Sequence, residues 1–304
     1  MTTVEQILVH CSFPPSGTRV DLAVSGGADS VGLTLLALAH GLRPTLHHVD
    51  HHLRSTSGDD AALVAALAKN LALPFELHDV VVDPGGNLEA RARAARRAVL
   101  PHKVFTGHTM DDQAETIVLN MMRGAALDGL APMVHDPTKP LVGVRRSAVL
   151  AIVRDSSQPF VIDSSNSDQT LRRNRVRLTT LPALNEVAER DLVPVLARQA
   201  ALIGDELAWL NDLSAPDALR PVSEPDCREL LQWPTARLRR WLRVVLASPD
   251  DGDGSHPPSL DEINRVISVV SGEVVATELS GHRRVARRDQ RLRLENTQPL
   301  RSTR

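Results

Sequence analysis

Residues 19–30 read Arg19-Val-Asp-Leu-Ala-Val-Ser-Gly-Gly-Ala-Asp-Ser30. An apolar, strand-like run, Arg19–Val24, enters two glycines and leaves as a helix-like segment, Ser30–His40. Glycines at a strand-to-helix turn let the backbone come close to a phosphate. The turn's N–H groups and the positive end of the helix then hold the anion. Ser25 and Ser30 add hydroxyl donors, so Ser25, Gly26, Gly27, Ala28, Asp29 and Ser30 form a candidate nucleotide loop. No lysine is present, which separates it from the loop that grips a γ-phosphate. Asp29 is out of place in an anion cradle unless Mg²⁺ sits between it and the phosphates, and this marks it as a candidate metal ligand.

Outward from this loop, strand-like and helix-like segments alternate. Strands are expected at Pro44–Val49, Phe75–Val82 and Lys103–Thr106, and helices at Gly58–Leu71, Leu88–Leu100 and Asp111–Arg123. This order predicts an α/β fold with a mostly parallel, doubly wound sheet, and ligands beyond the carboxyl ends of its strands. Residues 130–185 are broken by prolines and read as less regular. Glu186–Leu213 reads as one helix interrupted near Pro194, and Ser214–Asp226 as a linker. Beyond it come an amphipathic helix with Trp241, a loop at Asp250–Pro258, a helix near Leu260–Val270 and a β-like tail at Arg287–Leu294. These predict a second, smaller α+β domain. The expected division is 1–185, a connector at 186–226, and 227–304.

The chain has 304 residues, 42% hydrophobic and 24% charged, the balance of a globular protein with a sizeable core. Its longest apolar run, Ala61–Ala68, is too short to span a bilayer, and no basic-then-apolar leader opens the chain. No membrane association is therefore expected. Cys11 and Cys227 form neither a disulfide framework nor a zinc motif, which fits a reducing cytoplasm. The net charge of −2 hides an asymmetry: residues 281–304 hold 8 Arg against 2 acids. With 7 aromatic residues in all (4 Phe, 3 Trp, no Tyr), any grip on RNA must rest on arginine rather than on stacking.

Ser25–Ser30 resembles the S-G-G-x-D-S signature of the PP-loop, or N-type, ATP pyrophosphatases, which release pyrophosphate from ATP and activate a carbonyl oxygen as an adenylate. Later motifs narrow the resemblance to tRNA(Ile)-lysidine synthases. His48-Val-Asp-His-His-Leu-Arg54 is similar to their H-V-D-H-x-L-R. Asn87-Leu-Glu-Ala-Arg-Ala-Arg-Ala-Ala-Arg-Arg97 is similar to their N-x-E-x-x-A-R-x-x-R-Y, and Gly107-His-Thr-Met-Asp-Asp-Gln-Ala-Glu-Thr116 to their G-H-x-x-D-D-Q-x-E-T. Arg123-Gly124, Gly129-Leu130, Asp163-Ser-Ser-Asn166 and Arg173-Asn-Arg-Val-Arg177 follow in the family's order. The resemblance covers roughly 20–185. Departures are Arg97 for Tyr, Lys139 for Arg in R-P-L, Ser164 for Pro and Leu171 for an aromatic.

The resemblance implies an ATP-dependent ligase. ATP would adenylate the C2 carbonyl oxygen of the wobble cytidine in CAU-anticodon tRNA(Ile), and L-lysine would displace AMP to give lysidine, changing the codon read from AUG to AUA. Residues 1–185 would be catalytic and 227–304 would bind tRNA. His51 and Gly107 join the expected ATP-binding residues. Asp112 and Glu115, spaced i,i+3, can project from one side of a helix and clamp the lysine ammonium. Only about one lysine amine in 2,500 is neutral near pH 7, so His108 or a carboxylate must accept a proton. Asp29, His108, Asp112 and Glu115 are the candidate catalytic residues. Arg93, Arg96, Arg173 and Arg177 are expected on tRNA, although the 172–177 cluster could equally hold ATP phosphates or pyrophosphate. His47, His48, His51 and His52 have no cysteine or suitably spaced carboxylate to complete a metal site, so this loop is expected to line the nucleotide pocket. The chain is shorter than family members with a further C-terminal domain, so tRNA discrimination would use less protein or a homodimer partner. The competing reading is a PP-loop tRNA thiolase acting on a base carbonyl, which needs a persulfide-carrying cysteine or an iron–sulfur cluster. An amidotransferase would need a glutaminase nucleophile, and residue 2 is Thr2. A non-catalytic binding module would leave the Ser25–Ser30 loop and the Asp112/Glu115 pair without purpose.

Overall fold

The computed structural model describes residues 3–52, 57–81, 88–161, 168–218, 224–247 and 258–296. Asp163–Asn166, the 219–223 part of the expected linker and most of the 250–258 loop lie outside them. The chain divides into two compact units, Met1–Leu207 and Ala208–Arg304.

In the first unit a short helix, α1 (Val4–Leu8), precedes strand β1 (Arg19–Ala23). There follow α2 (Ala28–Ala39), β2 (Arg43–Asp50), α3 (Ser57–Asn70), β3 (Phe75–Asp79), α4 (Leu88–Val99) and α5 (Met110–Met122). The three strands pair in parallel in the order β1-β2-β3, with Ala23 opposite His47 and His47 opposite Glu76. The strand expected at 103–106 is reduced to a bridge. Phe105 N–H donates to Asp21 O at 2.7 Å and Ala23 N–H to Phe105 O at 2.9 Å, which extends the sheet beyond β1. Its chain stays in place because Phe105 is buried with Leu22, Val24, Leu33, Leu36, Leu46 and Leu67 in the core.

The 130–185 region is more regular than its prolines suggest. After a single turn, α6 (Leu127–Leu130), comes α7 (Arg146–Asp155), whose Val149, Ile152 and Val153 join the same core. Apolar residues at i, i+3 and i+4 are what bury one face of a helix. Then come α8 (Arg172–Arg175), a π-helical stretch (Val176–Thr180) and α9 (Leu181–Ala188). Glu189, in a left-handed conformation, ends α9, and α10 (Val193–Ala218) begins immediately before Pro194. Proline costs nothing in a helix's first turn, where its missing N–H has no helical partner. That places the interruption between two helices.

The second unit contains α11 (Cys227–Leu230), α12 (Thr235–Val245) and α13 (Leu260–Ser271). It also has an antiparallel sheet of β4 (Ala276–Leu279), β5 (Arg283–Arg288) and β6 (Arg291–Asn296). Trp241, Leu242, Ile263, Val266, Val285 and Leu292 form its core. Among the described residues no helix is long and apolar enough to cross a membrane.

Candidate active site

The Ser25–Ser30 turn is held from inside. Ser30 Oγ donates to Gly27 O at 2.9 Å and accepts from Ser25 N–H at 3.2 Å, with Ser25 Oγ 3.3 Å away. Gly26 has φ of +86°, a conformation that favours glycine, and a Cβ there would press on Val161 Cγ2 at 3.2 Å. Gly27 is the N-cap of α2 and supplies no side-chain hydrogen bond to that helix's opening N–H groups. Gly107 is needed for a different reason: a Cβ there would fall 2.6 Å from Asp29 O. The segment after Phe105 lies directly against the loop.

These elements wall a cavity of about 510 Å³ at the carboxyl ends of the strands. Ser25, Asp29 and Ser30 line one part, His51 and Arg96 another, and Gly107, His108, Asp112 and Arg173 a third. The structure thus gathers residues from five separate sequence motifs around one volume, beyond the strand ends where such sheets bind ligands.

Beside the cavity lies a buried carboxylate–guanidinium network. Thr109 caps α5. Its N–H and Oγ1 both donate to Asp112 Oδ2 at 2.8 Å, which closes a capping box and fixes the carboxylate. The other oxygen, Oδ1, accepts from Arg146 Nη2 at 2.7 Å and Arg173 Nη2 at 2.9 Å. One helical turn on, Glu115 is 1% exposed. It accepts from Arg146 Nη1 at 3.0 Å, Arg173 Nε at 2.9 Å, and Arg177 Nε and Nη2 at 2.7 and 3.1 Å. Arg146 Nε also reaches Asp29 Oδ2 at 3.2 Å, so one guanidinium ties the nucleotide loop to Asp112 and Glu115 of α5. Next to it Arg145 makes two hydrogen bonds to Asp111, at 3.2 and 3.1 Å, and pairs with Asp191.

Burial alone would raise the pKa of Asp112, but Arg146, Arg173 and the Thr109 hydrogen bonds outweigh it and hold the carboxyl below its ordinary range. Glu115 is likewise pulled down against burial, chiefly by Arg177 and Arg146. Asp29 goes the other way. Burial raises it and the charge of Asp112 adds to the rise, while Arg146 offsets part. Its Oδ1 is buried with no protein partner. His51 is lowered by burial and by the charge of Arg96, and its Nδ1 is also buried and unpartnered. His108 Nδ1 lies 2.8 Å from Thr106 Oγ1.

Known proteins agree with this architecture. The PP-loop domain family matches residues 1–184. A tRNA(Ile)-lysidine synthase from Mycobacterium leprae is 35% identical, with 90% of this chain and 91% of that protein covered. One from Symbiobacterium thermophilum is 35% identical over 87% of this chain. The chain belongs to the tRNA(Ile)-lysidine synthases. It spans 62% of the length of the Symbiobacterium relative, so members of the family differ in length. A U34-tRNA thiolase from Methanococcus maripaludis shares the fold, with a TM-score of 0.53 at 14% identity, 67% of this chain and 77% of that chain being covered.

Within the lysidine synthase family the thiolase alternative is not favoured, and the chemistry of the two cysteines agrees. Burial pushes the Cys11 thiol up to about 12, and Cys227 is raised by burial within the second unit's core. Neither is poised as a thiolate. Arg173 and Arg177, expected on tRNA, are turned onto Asp112 and Glu115. Arg96 lines the cavity and Arg93 lies on α4, its side chain outside those described. Arg146 was missing from the sequence-derived site. The signal was there: two arginines open α7, the positive end of a helix, with no acid in its first turn. A cation placed against the helix dipole needs a carboxylate from elsewhere.

Proposed function

We propose that this chain joins L-lysine to C2 of the wobble cytidine of CAU-anticodon tRNA(Ile), through an adenylated cytidine, with release of AMP and pyrophosphate. A carbonyl oxygen is a poor leaving group and AMP a good one, so adenylation makes displacement by an amine feasible. The observation that carries the reading is the Asp112–Glu115 pair. Both acids are ionised, one helical turn apart, with Asp112 in the wall of the cavity that the Ser25–Ser30 loop also lines. An anion loop and an ammonium-binding pair at one cavity suit a reaction between a nucleotide and a cationic amine.

The turn's amides and the α2 N-terminus receive the phosphates. Asp29 fits a Mg²⁺ ligand, because its buried Oδ1 lacks a partner and Arg146, on Oδ2, offsets only part of the cost of burying the carboxylate. Bound there, Mg²⁺ would neutralise charge on the leaving pyrophosphate. The carboxylates engage guanidiniums before any substrate arrives, so lysine has to replace cations already in place. Nucleotide phosphates supply the counter-charge that draws Arg146, Arg173 or Arg177 away, and this predicts nucleotide binding before lysine. Asp112 and Glu115 are weak bases with their lowered pKa, so His108 is the better acceptor for the amine proton. Arg96, which lines the cavity, and Arg93, on the same helix, would meet the RNA. In the second unit Arg283 and Arg287 are tied to Leu246 O and Val270 O, whereas among the described residues Arg284 and Arg288 have only the longer pairs to Glu278 and Glu295, at 3.6 and 3.8 Å, and are the better phosphate contacts.

The test is incubation with ATP, tRNA(Ile) bearing CAU, and labelled lysine or a labelled sulfur donor. Lysine label in acid-precipitable RNA, dependent on ATP, is expected. Sulfur label instead, or no label in either, would overturn the reading.

A further inference from the structure

The four neighbouring histidines of the β2 end do not act together along the chain. His48 Nδ1 is 2.7 Å from Val24 O, and His51 lines the cavity; His47 also borders that cavity, but its imidazole is turned onto Asp21 and His78. There the sheet register supplies what the sequence spacing lacked. His47 sits opposite Glu76, and His78 lies two residues further along β3. Asp21 lies two residues before Ala23, the partner of His47 in β1. Side chains alternate along strands, so all four share one face.

We propose that His47 Nδ1, His78 Nε2 and Glu76 form a binding site for a divalent transition-metal ion of the Zn²⁺ type. The ligand atoms are preassembled. His47 Nδ1 is 3.0 Å from His78 Nε2 and 3.5 Å from Glu76 Oε2, and His78 Nε2 is 4.0 Å from the same oxygen. Metal–ligand bonds of about 2.0–2.1 Å at tetrahedral corners place ligand atoms about 3.3 Å apart, inside this range. The outer partner is also in place. His47 Nε2 lies 2.9 Å from Asp21 Oδ1, and a carboxylate can only accept, so neutral His47 carries its proton on Nε2 and turns the Nδ1 lone pair toward the cluster. A ligating imidazole whose other N–H is held by a carboxylate is the usual arrangement at metal sites. Without metal, His78 Nε2–H satisfies that lone pair. Metal binding requires only that neutral His78 move its proton to Nδ1. The side chains of Glu76 and Asp21 are 59% and 44% exposed, so an ion can enter from solvent and keep water in the fourth position. Two imidazoles and one carboxylate favour Zn²⁺, Co²⁺ or Fe²⁺ over Mg²⁺.

The test uses the full chain stripped of metal. Zn²⁺ titrated by calorimetry should bind one-to-one at micromolar or tighter concentrations, with excess Mg²⁺ failing to compete. Co²⁺ should give the intense visible absorption of a four-coordinate ion. His78→Ala and Glu76→Gln should each weaken Zn²⁺ binding at least tenfold. His52→Ala, which removes the more exposed Asp50–His52–Asp79 group, should leave it unchanged. Weak, octahedral Co²⁺ spectra in the unaltered protein, or Zn²⁺ affinity lost in His52→Ala and kept in His78→Ala, would overturn the proposal.

Discussion

Replacing Glu115 by glutamine keeps the shape of the side chain and removes its charge. The native carboxylate is 1% exposed and accepts four hydrogen bonds from three guanidiniums. Removing one partner from a fully buried ion pair costs about 3–5 kcal/mol, because the remaining charges stay desolvated. Here Arg146, Arg173 and Arg177 keep 22%, 38% and 25% of their side-chain surface, so water recovers part of that cost. The expected loss is on the order of 2–3 kcal/mol, read as a lower urea midpoint at constant slope. The carboxyl is held below its ordinary 4.5. Its stabilisation is therefore complete above that value and lost as pH falls through the lower folded-state pKa. The gap between native and variant should narrow below about pH 4.5. In activity assays the lysine KM should rise roughly 10–100-fold, the effect of removing one charge-assisted hydrogen bond, while the ATP KM changes little. Stability within about 0.5 kcal/mol of native, small enough for an ordinary surface substitution, would refute the network. A raised ATP KM with unchanged lysine KM would place the clamp elsewhere.

Asp29→Ala should abolish pyrophosphate release and leave tRNA affinity within about twofold; unimpaired turnover with Mg²⁺ would exclude a metal role. Gly107→Ala must push a methyl against Asp29 O, 2.6 Å from its ideal position, so ATP affinity should drop at least tenfold. Unchanged affinity would mean that the nucleotide does not sense the loop's position. Arg284→Ala with Arg288→Ala should reduce the slope of log K for tRNA against log salt by about 0.7–0.9 for each phosphate no longer neutralised; an identical slope would remove these residues from the RNA surface.

The alternation of strands and helices from residue 19 to 123 was legible, apart from 103–106, because period, turn glycines and apolar runs agreed. The Ser25–Ser30 loop was legible for the same reason, its chemistry being local. Other features were not. The Lys103–Thr106 strand is only a bridge, since sequence pattern does not say how many ladder bonds an edge segment makes. Arg146 was invisible because its partners, Asp29 and Glu115, lie 117 and 31 residues away and meet it only once α7 packs against α2. The same holds for His47, whose neighbours come from across the sheet. The 172–177 arginines show the reverse: a cluster with no acid within it found its acids on another helix.

The account rests on where ATP is cut. ATP labelled at the α- and γ-phosphates, incubated with the protein, lysine and CAU-bearing tRNA(Ile), should yield labelled AMP and labelled pyrophosphate in equal amounts. ADP and inorganic phosphate as the primary products would contradict it.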